Sequence, residues 1–143
     1  MCMIVDANLA SVVFKSTSDK AFEALRKSIF SNKLTLVYGG LLTEEYKKAG
    51  VLQLEIIGQL SRSGKLFKVS DSAIQKELTL IKNKCKSNDD HIIAMARAVR
   101  KRAHVLCSND KDLRFDFQNK QLIDKPRGKI YSPTRHDKSL ASC

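Results

Sequence analysis

The sequence predicts an α/β protein in which helices cover both faces of a parallel sheet. Short apolar runs rich in strand-forming residues alternate with segments of helical periodicity, and this alternation favours parallel strands. The length of 143 residues suits one domain, and 43% hydrophobic and 29% charged residues are typical of a globular protein with a buried core.

Four apolar or alternating runs are predicted to be strands, and a short fifth run is predicted to complete the sheet. The four runs are residues 2–5, 33–38, 65–69 and 104–107, and the fifth is Leu122-Ile123. Gly39-Gly40 ends the second of these strands, because two glycines favour a break in the extended chain.

Apolar residues at helical spacing predict helices between these strands. The predicted helices cover residues 8–14, a segment through Phe22, Leu25 and Ile29, residues 41–48, 51–61 and 70–81, a segment from Asn88 or Asp89 to Val99, and a last helix from about residue 110. Ser18-Asp19 and Ser70-Asp71 are predicted N-caps, because their side chains accept hydrogen bonds from free helix N–H groups.

The C-terminal part of the chain differs in composition from the rest. Both prolines lie after residue 119, and basic residues there outnumber acidic ones. We therefore predict a domain over residues 1–123 and a basic, flexible tail over residues 124–143, in which Lys129-Ile130-Tyr131 docks on the body. A solvated terminus and an arm that clamps a nucleic-acid strand are equally compatible with this tail.

The charge balance indicates a polyanionic partner. The 26 Lys and Arg residues exceed the 15 acidic residues and give a formal net charge of +11, which favours a nucleic acid, although a basic surface also suits an acidic protein. The start of the chain lacks the pattern of a signal peptide, and no apolar run is long enough for a membrane span, so a cytoplasmic location is expected. The four cysteines lack metal-ligand spacing and are expected to be free thiols.

Acidic residues recur at the edges of four predicted elements. They are Asp6 after the first strand, Glu44 and Glu45 in a short helix, Asp89 and Asp90 at a helix start, and Asp110 and Asp112 after the fourth strand. Ligands bind at the carboxyl ends of the strands in open α/β sheets, and carboxylates are the ligands that hard divalent cations prefer. Taken singly, the glutamates also fit a solvated helix face, and the aspartates of the later pairs also fit helix caps.

Over residues 2–118 the chain resembles the PIN domain family. The resemblance is carried by Val5-Asp6-Ala7-Asn8, Thr43-Glu44-Glu45-Tyr46, the run from Asp89 to Ala96, and the run from Leu106 to Leu113. It implies a three-layer α/β/α sandwich with a parallel sheet of about five strands. It also implies an endoribonuclease that depends on Mg²⁺ or Mn²⁺, as in the VapC-type toxins of toxin–antitoxin pairs.

The family's functional residues carry over to four acids of this chain. The resemblance implies that Asp6, Asp89 and Asp110 bind the metal and that Glu45 holds or deprotonates the attacking water. Glu44, Asp90 and Asp112 are the alternates at their landmarks. Asn8 and Ser108 are expected to orient carboxylates, Ser108 standing where the family often has threonine.

Basic residues near these acids are candidate RNA contacts. Those on the helix after Asp89 are Arg97, Arg100, Lys101 and Arg102, and those in the tail are Arg127 and Lys129. A solvated helix face explains the first set equally well. The resemblance further implies an antitoxin protein that covers the site and a homodimer, for which the helices at 18–31 and 51–61 offer apolar faces. The alternative function is a PIN-like module that binds RNA or protein without cleaving it.

Overall fold

The computed structural model describes residues 2–15, 20–99 and 103–131, and these residues form one five-stranded parallel sheet flanked by seven helices. The strands are β1 (Cys2–Val5), β2 (Thr35–Gly39), β3 (Leu66–Val69), β4 (Ala103–Cys107) and β5 (Lys129–Tyr131). The helices are α1 (Ala7–Lys15), α2 (Glu23–Phe30), α3 (Gly40–Lys48), α4 (Glu55–Arg62), α5 (Asp71–Ile81), α6 (Asp90–Val99) and α7 (Lys111–Gln118). The predicted α/β class and the parallel sheet are confirmed.

The strand order β3-β2-β1-β4-β5 places β1 at the centre of the sheet. The chain moves outward from β1 to β3 and then returns across the sheet to β4, so the winding direction reverses between β1 and β4. Because crossovers between parallel strands are right-handed, helices of the two halves cover opposite faces of the sheet. The contacts agree, since α2 packs on α1 and α4, whereas α6 packs on α5 and α7.

The core is built on the two central strands. Met3 and Ile4 of β1 and Val105 and Leu106 of β4 are all fully buried. Strands covered on both faces read as continuous apolar runs rather than alternating ones, which explains why both were recognisable in the sequence. The reversal point between them is where an open α/β sheet leaves a crevice for a ligand.

One helix begins later than predicted. The helix expected from Val51 begins at Glu55, because the chain turns after Gly50, where φ is +69°, and the N–H of Val51 bonds to the carbonyl of Tyr46. The predicted cap at Ser70 is confirmed, since its hydroxyl accepts a hydrogen bond from the N–H of Ala73. The predicted cap at residues 18–19 lies outside the described residues.

The last strand is not at Leu122-Ile123. The N–H groups of both residues bond to the carbonyl of Asn119 and close a turn, while Lys129–Tyr131 pairs with β4. Gly128 precedes this strand at a position where a Cβ atom would lie 2.0 Å from the carbonyl oxygen of Phe117, so only glycine fits. The sheet therefore extends beyond residue 123, into the segment predicted to be the tail.

The expectation of free thiols is confirmed for two cysteines and is wrong for Cys2. Cys85 and Cys107 are free, whereas Cys2 is disulfide-bonded. Among the helices of the described residues, none combines the length and the apolar character that crossing a bilayer requires.

Candidate metal centre

The carboxyl ends of the two central strands meet at Asp6. Its N–H bonds to the carbonyl of Cys107 at 2.9 Å, which continues the pairing of β1 with β4 by one residue. The hydroxyl of Ser108 donates a hydrogen bond to Asp6 Oδ2 at 2.8 Å and accepts one from the N–H of Asp110 at 3.1 Å. Ser108 therefore orients the Asp6 carboxylate, as the sequence predicted.

Asp6 is 3% exposed and directly precedes α1. Burial raises the pKa of its carboxyl group, and the nearby charge of Asp89 raises it further. The hydrogen bond from Ser108 and the main-chain N–H groups of Asn8 and Ala7 lower the same pKa without outweighing burial. Asn8 thus acts on Asp6 through its main chain, and its side chain is exposed.

Helix α3 brings Glu45 to this edge of the sheet. The neighbouring Tyr46 is fully buried, and its hydroxyl donates to the carbonyl of Val5, so α3 is fixed to the end of β1. Burial raises the pKa of Glu45. His91 lowers that pKa, while the charges of Asp89 and Asp6 raise it, which places the three carboxylates close enough to repel one another.

The two glutamates of α3 differ in their surroundings. Glu44 points to solvent and pairs with Lys47 at 3.5 Å, with both side chains about 60% exposed (62% and 60%). Glu45 lies beside His91, with 3.4 Å between Oε1 and Nε2. Glu45 is therefore the glutamate whose carboxylate lies beside His91, while Glu44 lines an open recess that His91 also borders.

His91 is a member of the site that the sequence did not predict. Its side chain is buried, and Nε2 lies 3.6 Å from Asp89 Oδ1 as well as 3.4 Å from Glu45 Oε1. One ligand atom of each of these three residues lies within 4.8 Å of the others, a spacing that suits a shared metal ion. The only sequence signal for His91 is that it directly precedes the apolar run Ile92 to Ala96. In the structure every residue from His91 to Ala96 is buried.

Asp89, rather than Asp90, belongs to this group. Asp89 precedes the first residue of α6, and its N–H donates to the hydroxyl of Ser87 at 3.0 Å. Asp90 is not among the three residues whose ligand atoms converge. Burial, followed by the charges of Asp116 and Asp90, raises the pKa of the Cys85 thiol to about 11.

Asp116 of α7 holds the segment that carries Asp89. Its two carboxylate oxygens accept the N–H groups of Lys86 and Ser87 at 3.0 and 2.9 Å, and the side chain is 1% exposed. Ser87 in turn bonds to the N–H of Asp89. This role of Asp116 is not evident from the sequence, because Asp116 lies within a helix and contacts a segment about 30 residues earlier in the chain.

Among the described residues, the group of converging ligand atoms does not include Asp110 or Asp112. Asp110 is the N-cap of α7, and its Oδ1 accepts the N–H of Leu113 at 3.0 Å. Asp112 is exposed in the first turn of that helix. Asp110 therefore caps α7 through its Oδ1, which is the alternative role that the sequence suggested for it. A metal-binding role for Asp110 stays a prediction.

Arg97, one of the predicted phosphate contacts on α6, is engaged within the fold. Its Nε pairs with Glu77 at 2.9 Å, and its Nη1 donates to the carbonyl of Leu122 at 2.5 Å, so the guanidinium joins α6 to α5 and to the turn after α7. Arg127 and Lys129 are exposed. The other predicted phosphate contacts of this set, residues 100–102, lie outside the described residues.

Comparisons with known proteins add nothing to these observations. No protein-family model, no curated protein and no solved structure matches this chain. The resemblance to PIN domains therefore stays a prediction that rests on the four acidic landmarks.

The donor set fits a divalent cation. Glu45, Asp89 and His91 supply two carboxylates and one imidazole, that is, oxygen ligands for Mg²⁺ or Mn²⁺ and one nitrogen ligand that transition metals accept. Asp6 lies outside this group of three, but close enough for its charge to act on Glu45. Without a cation, burial and mutual repulsion penalise the ionised forms of Asp6 and Glu45, as their raised pKa values show. A bound cation would remove that penalty.

Proposed function

We propose that this protein is an endoribonuclease that depends on Mg²⁺ or Mn²⁺ and cleaves RNA at the carboxyl ends of β1 and β4. The observation that carries the proposal is the convergence of Asp6, Glu45 and Asp89 with the buried His91 at the reversal point of the sheet. Ligand sites of open α/β sheets form at this point.

Asp6, Asp89 and His91 would hold the metal, which would supply charge neutralisation at the scissile phosphate and lower the pKa of a bound water. Ser108 keeps the Asp6 carboxylate in one orientation. Glu45 is more exposed than the others, at 38% of its side chain, so it is placed to accept the proton of the attacking water. Breakage of the bond between phosphorus and the 3′ oxygen leaves a 5′-phosphate and a 3′-hydroxyl.

RNA is the proposed substrate because of the charge of the chain. An excess of 11 positive charges favours a polyanionic substrate for a protein whose candidate metal centre is itself acidic. The sequence resemblance to endoribonucleases supports the same choice.

The neighbouring glutamates provide a matched test of the proposal. Wild type, Glu45→Gln and Glu44→Gln are each incubated with end-labelled RNA of mixed structure in Mn²⁺, Mg²⁺ or EDTA. We expect Glu45→Gln to cut at least about a hundredfold more slowly, because a positioned base contributes about that factor or more. Glu44→Gln should cut as wild type does, since its side chain pairs with Lys47 in solvent.

Analysis of the fragment ends checks the mechanism in the same assay. Fragments with 5′-phosphate ends that form only with metal support it. Equal rates for the two variants, or cleavage in EDTA, would overturn it. RNA binding without cleavage in every metal would favour the non-catalytic module.

His91 predicts a metal preference. An imidazole ligand favours Mn²⁺ and Co²⁺ over Mg²⁺, which prefers oxygen. We expect half-maximal activity at lower concentrations of Mn²⁺ and Co²⁺ than of Mg²⁺. In His91→Gln the ratio of the half-maximal Mg²⁺ concentration to the half-maximal Mn²⁺ concentration should decrease by about tenfold. An unchanged ratio in a folded variant would show that the imidazole does not contact the metal.

A further inference from the structure

An aromatic ring on α7 is exposed beside a cation. Phe115 is 52% exposed, and Lys86 Nζ lies 4.0 Å from the centre of its ring. A large apolar side chain at this exposure gains little for the fold, because most of its surface stays in water. Proteins that hold unpaired nucleotides combine exposed aromatic rings, on which bases stack, with nearby cations that contact the phosphates. Lys86 lies over one part of the ring, and the exposed remainder is free for a base.

The ring borders an open recess of about 690 Å³. The other residues that line the recess are Gln118, Asn119, Lys120, Gln121 and Arg127. Two of these are cations, three carry side-chain amides and none is acidic. Amides can donate to and accept from the edges of bases, and Lys120 and Arg127 complement phosphate. The charge of the recess therefore favours a polyanion over a basic or neutral peptide.

The recess is connected to the candidate metal centre by two short segments. Helix α7 begins after Asp110, so Phe115 lies about 8 Å further along the helix axis. Lys86 lies three residues before Asp89, and Asp116 fixes its main chain. Because α7 runs from this edge of the sheet back toward the start of β5, a nucleotide at Phe115 would lie beside the candidate metal centre and not within it.

We infer that Phe115 and Lys86, together with Lys120 and Arg127, form a subsite for an unpaired nucleotide of single-stranded RNA. The base stacks on the exposed part of the Phe115 ring, and the three cations contact the adjoining phosphates. The inference rests on the proposed function only in taking RNA as the ligand. It requires neither metal nor cleavage.

Binding in EDTA tests the subsite apart from catalysis. The probe is a short fluorescein-labelled single-stranded RNA of mixed sequence, and its fluorescence anisotropy is measured with wild type, Phe115→Ala and Phe30→Ala. We expect Phe115→Ala to weaken binding about tenfold through the loss of one stacked base. Phe30 is equally exposed, at 55%, but lies on α2, so Phe30→Ala should bind as wild type does.

Lys86→Ala separates the phosphate contact from the stack. The slope of the logarithm of the binding constant against the logarithm of salt concentration should decrease in magnitude by about 0.7 for one lost phosphate contact. The substitution leaves the main-chain N–H of Lys86 in place for Asp116, so the fold is retained, and a thermal melt checks this.

Two further probes give outcomes that decide the inference. The affinity for a fully paired RNA duplex should be the same in Phe115→Ala as in wild type, and so should the affinity for an abasic oligonucleotide. Neither probe offers an unpaired base that could stack on the ring. Equal binding of single-stranded RNA by Phe115→Ala and wild type overturns the inference, as does no binding by wild type. Binding that depends on Phe115 in a protein that never cleaves RNA would support the subsite and refute the nuclease proposal instead.

Discussion

Replacing Asp6 with asparagine is expected to reduce metal-dependent RNA cleavage about a thousandfold, because charge stabilisation by a metal contributes several kcal/mol to such reactions. Asp6 is the most buried of the three carboxylates, and Ser108 fixes its orientation. An amide of the same shape keeps the hydrogen bond from Ser108 through its carbonyl oxygen. It lacks the negative charge that binds the cation.

The same substitution is expected to stabilise the protein when metal is absent. The pKa values of Asp6 and Glu45 are raised in the folded state, so the folded protein binds protons more tightly than the unfolded chain does. Their contribution to stability is therefore full below the ordinary carboxyl pKa and is lost as the pH rises through the raised values. Asp6→Asn removes one such group and should weaken this pH dependence.

Urea unfolding of metal-free wild type and Asp6→Asn, between pH 4 and pH 8, measures this effect. Asp124→Asn, at an exposed position after α7, serves as the control. A lower free energy of unfolding for Asp6→Asn than for wild type at pH 7 would contradict the account of the buried charge. Cleavage by Asp6→Asn at the wild-type rate would contradict the metal centre.

Removing the Asp116 carboxylate is expected to cost about 3 kcal/mol of stability, because the N–H groups of Lys86 and Ser87 would both lose their acceptor. Asp116→Asn should also be destabilising, since the amide replaces one acceptor by a donor. Helix α7 and the segment before Asp89 would separate. The affinity of the site for Mn²⁺ should then fall by about tenfold, as it does when groups that orient metal ligands are removed.

Denaturant unfolding and Mn²⁺ titration of Asp116→Ala measure the two effects. Gln118→Ala, at an exposed position of the same helix, should change the free energy of unfolding by less than about 0.5 kcal/mol. A stable Asp116→Ala protein with wild-type affinity for Mn²⁺ would show that Asp116 does not position Asp89.

The sequence predicts those features that depend on local pattern. Buried parallel strands are continuous apolar runs, so β1 and β4 were recognisable, and Asp6 was placed at the end of β1. The resemblance to PIN domains favoured Asp89 over Asp90, and the structure places Asp89 beside His91. The resemblance also favoured Glu45 over Glu44, in agreement with the geometry.

The features that could not be predicted from the sequence depend on contacts between distant segments of the chain. Arg97 has the composition of a phosphate contact, but Glu77 and Leu122 engage it after folding. His91 is polar within an apolar helix face, and only the approach of α3 to α6 gives it a role. The strand Lys129–Tyr131 has only three residues and follows Pro126 and Gly128, both of which interrupt regular secondary structure. Its pairing with β4 was therefore not evident from the sequence.

Calorimetric titration of Mn²⁺ into the metal-free protein tests the central claim most directly, because it needs no knowledge of the RNA target. Wild type should bind Mn²⁺ saturably, and the affinity should fall as the pH is lowered, because protons compete with the cation for Asp6 and Glu45, whose pKa values are raised in the unliganded site. Asp89→Asn should bind much more weakly, whereas Asp90→Asn should bind as wild type does. Absence of binding by wild type, or equal weakening by the two substitutions, would contradict a metal centre built on Asp6, Glu45, Asp89 and His91.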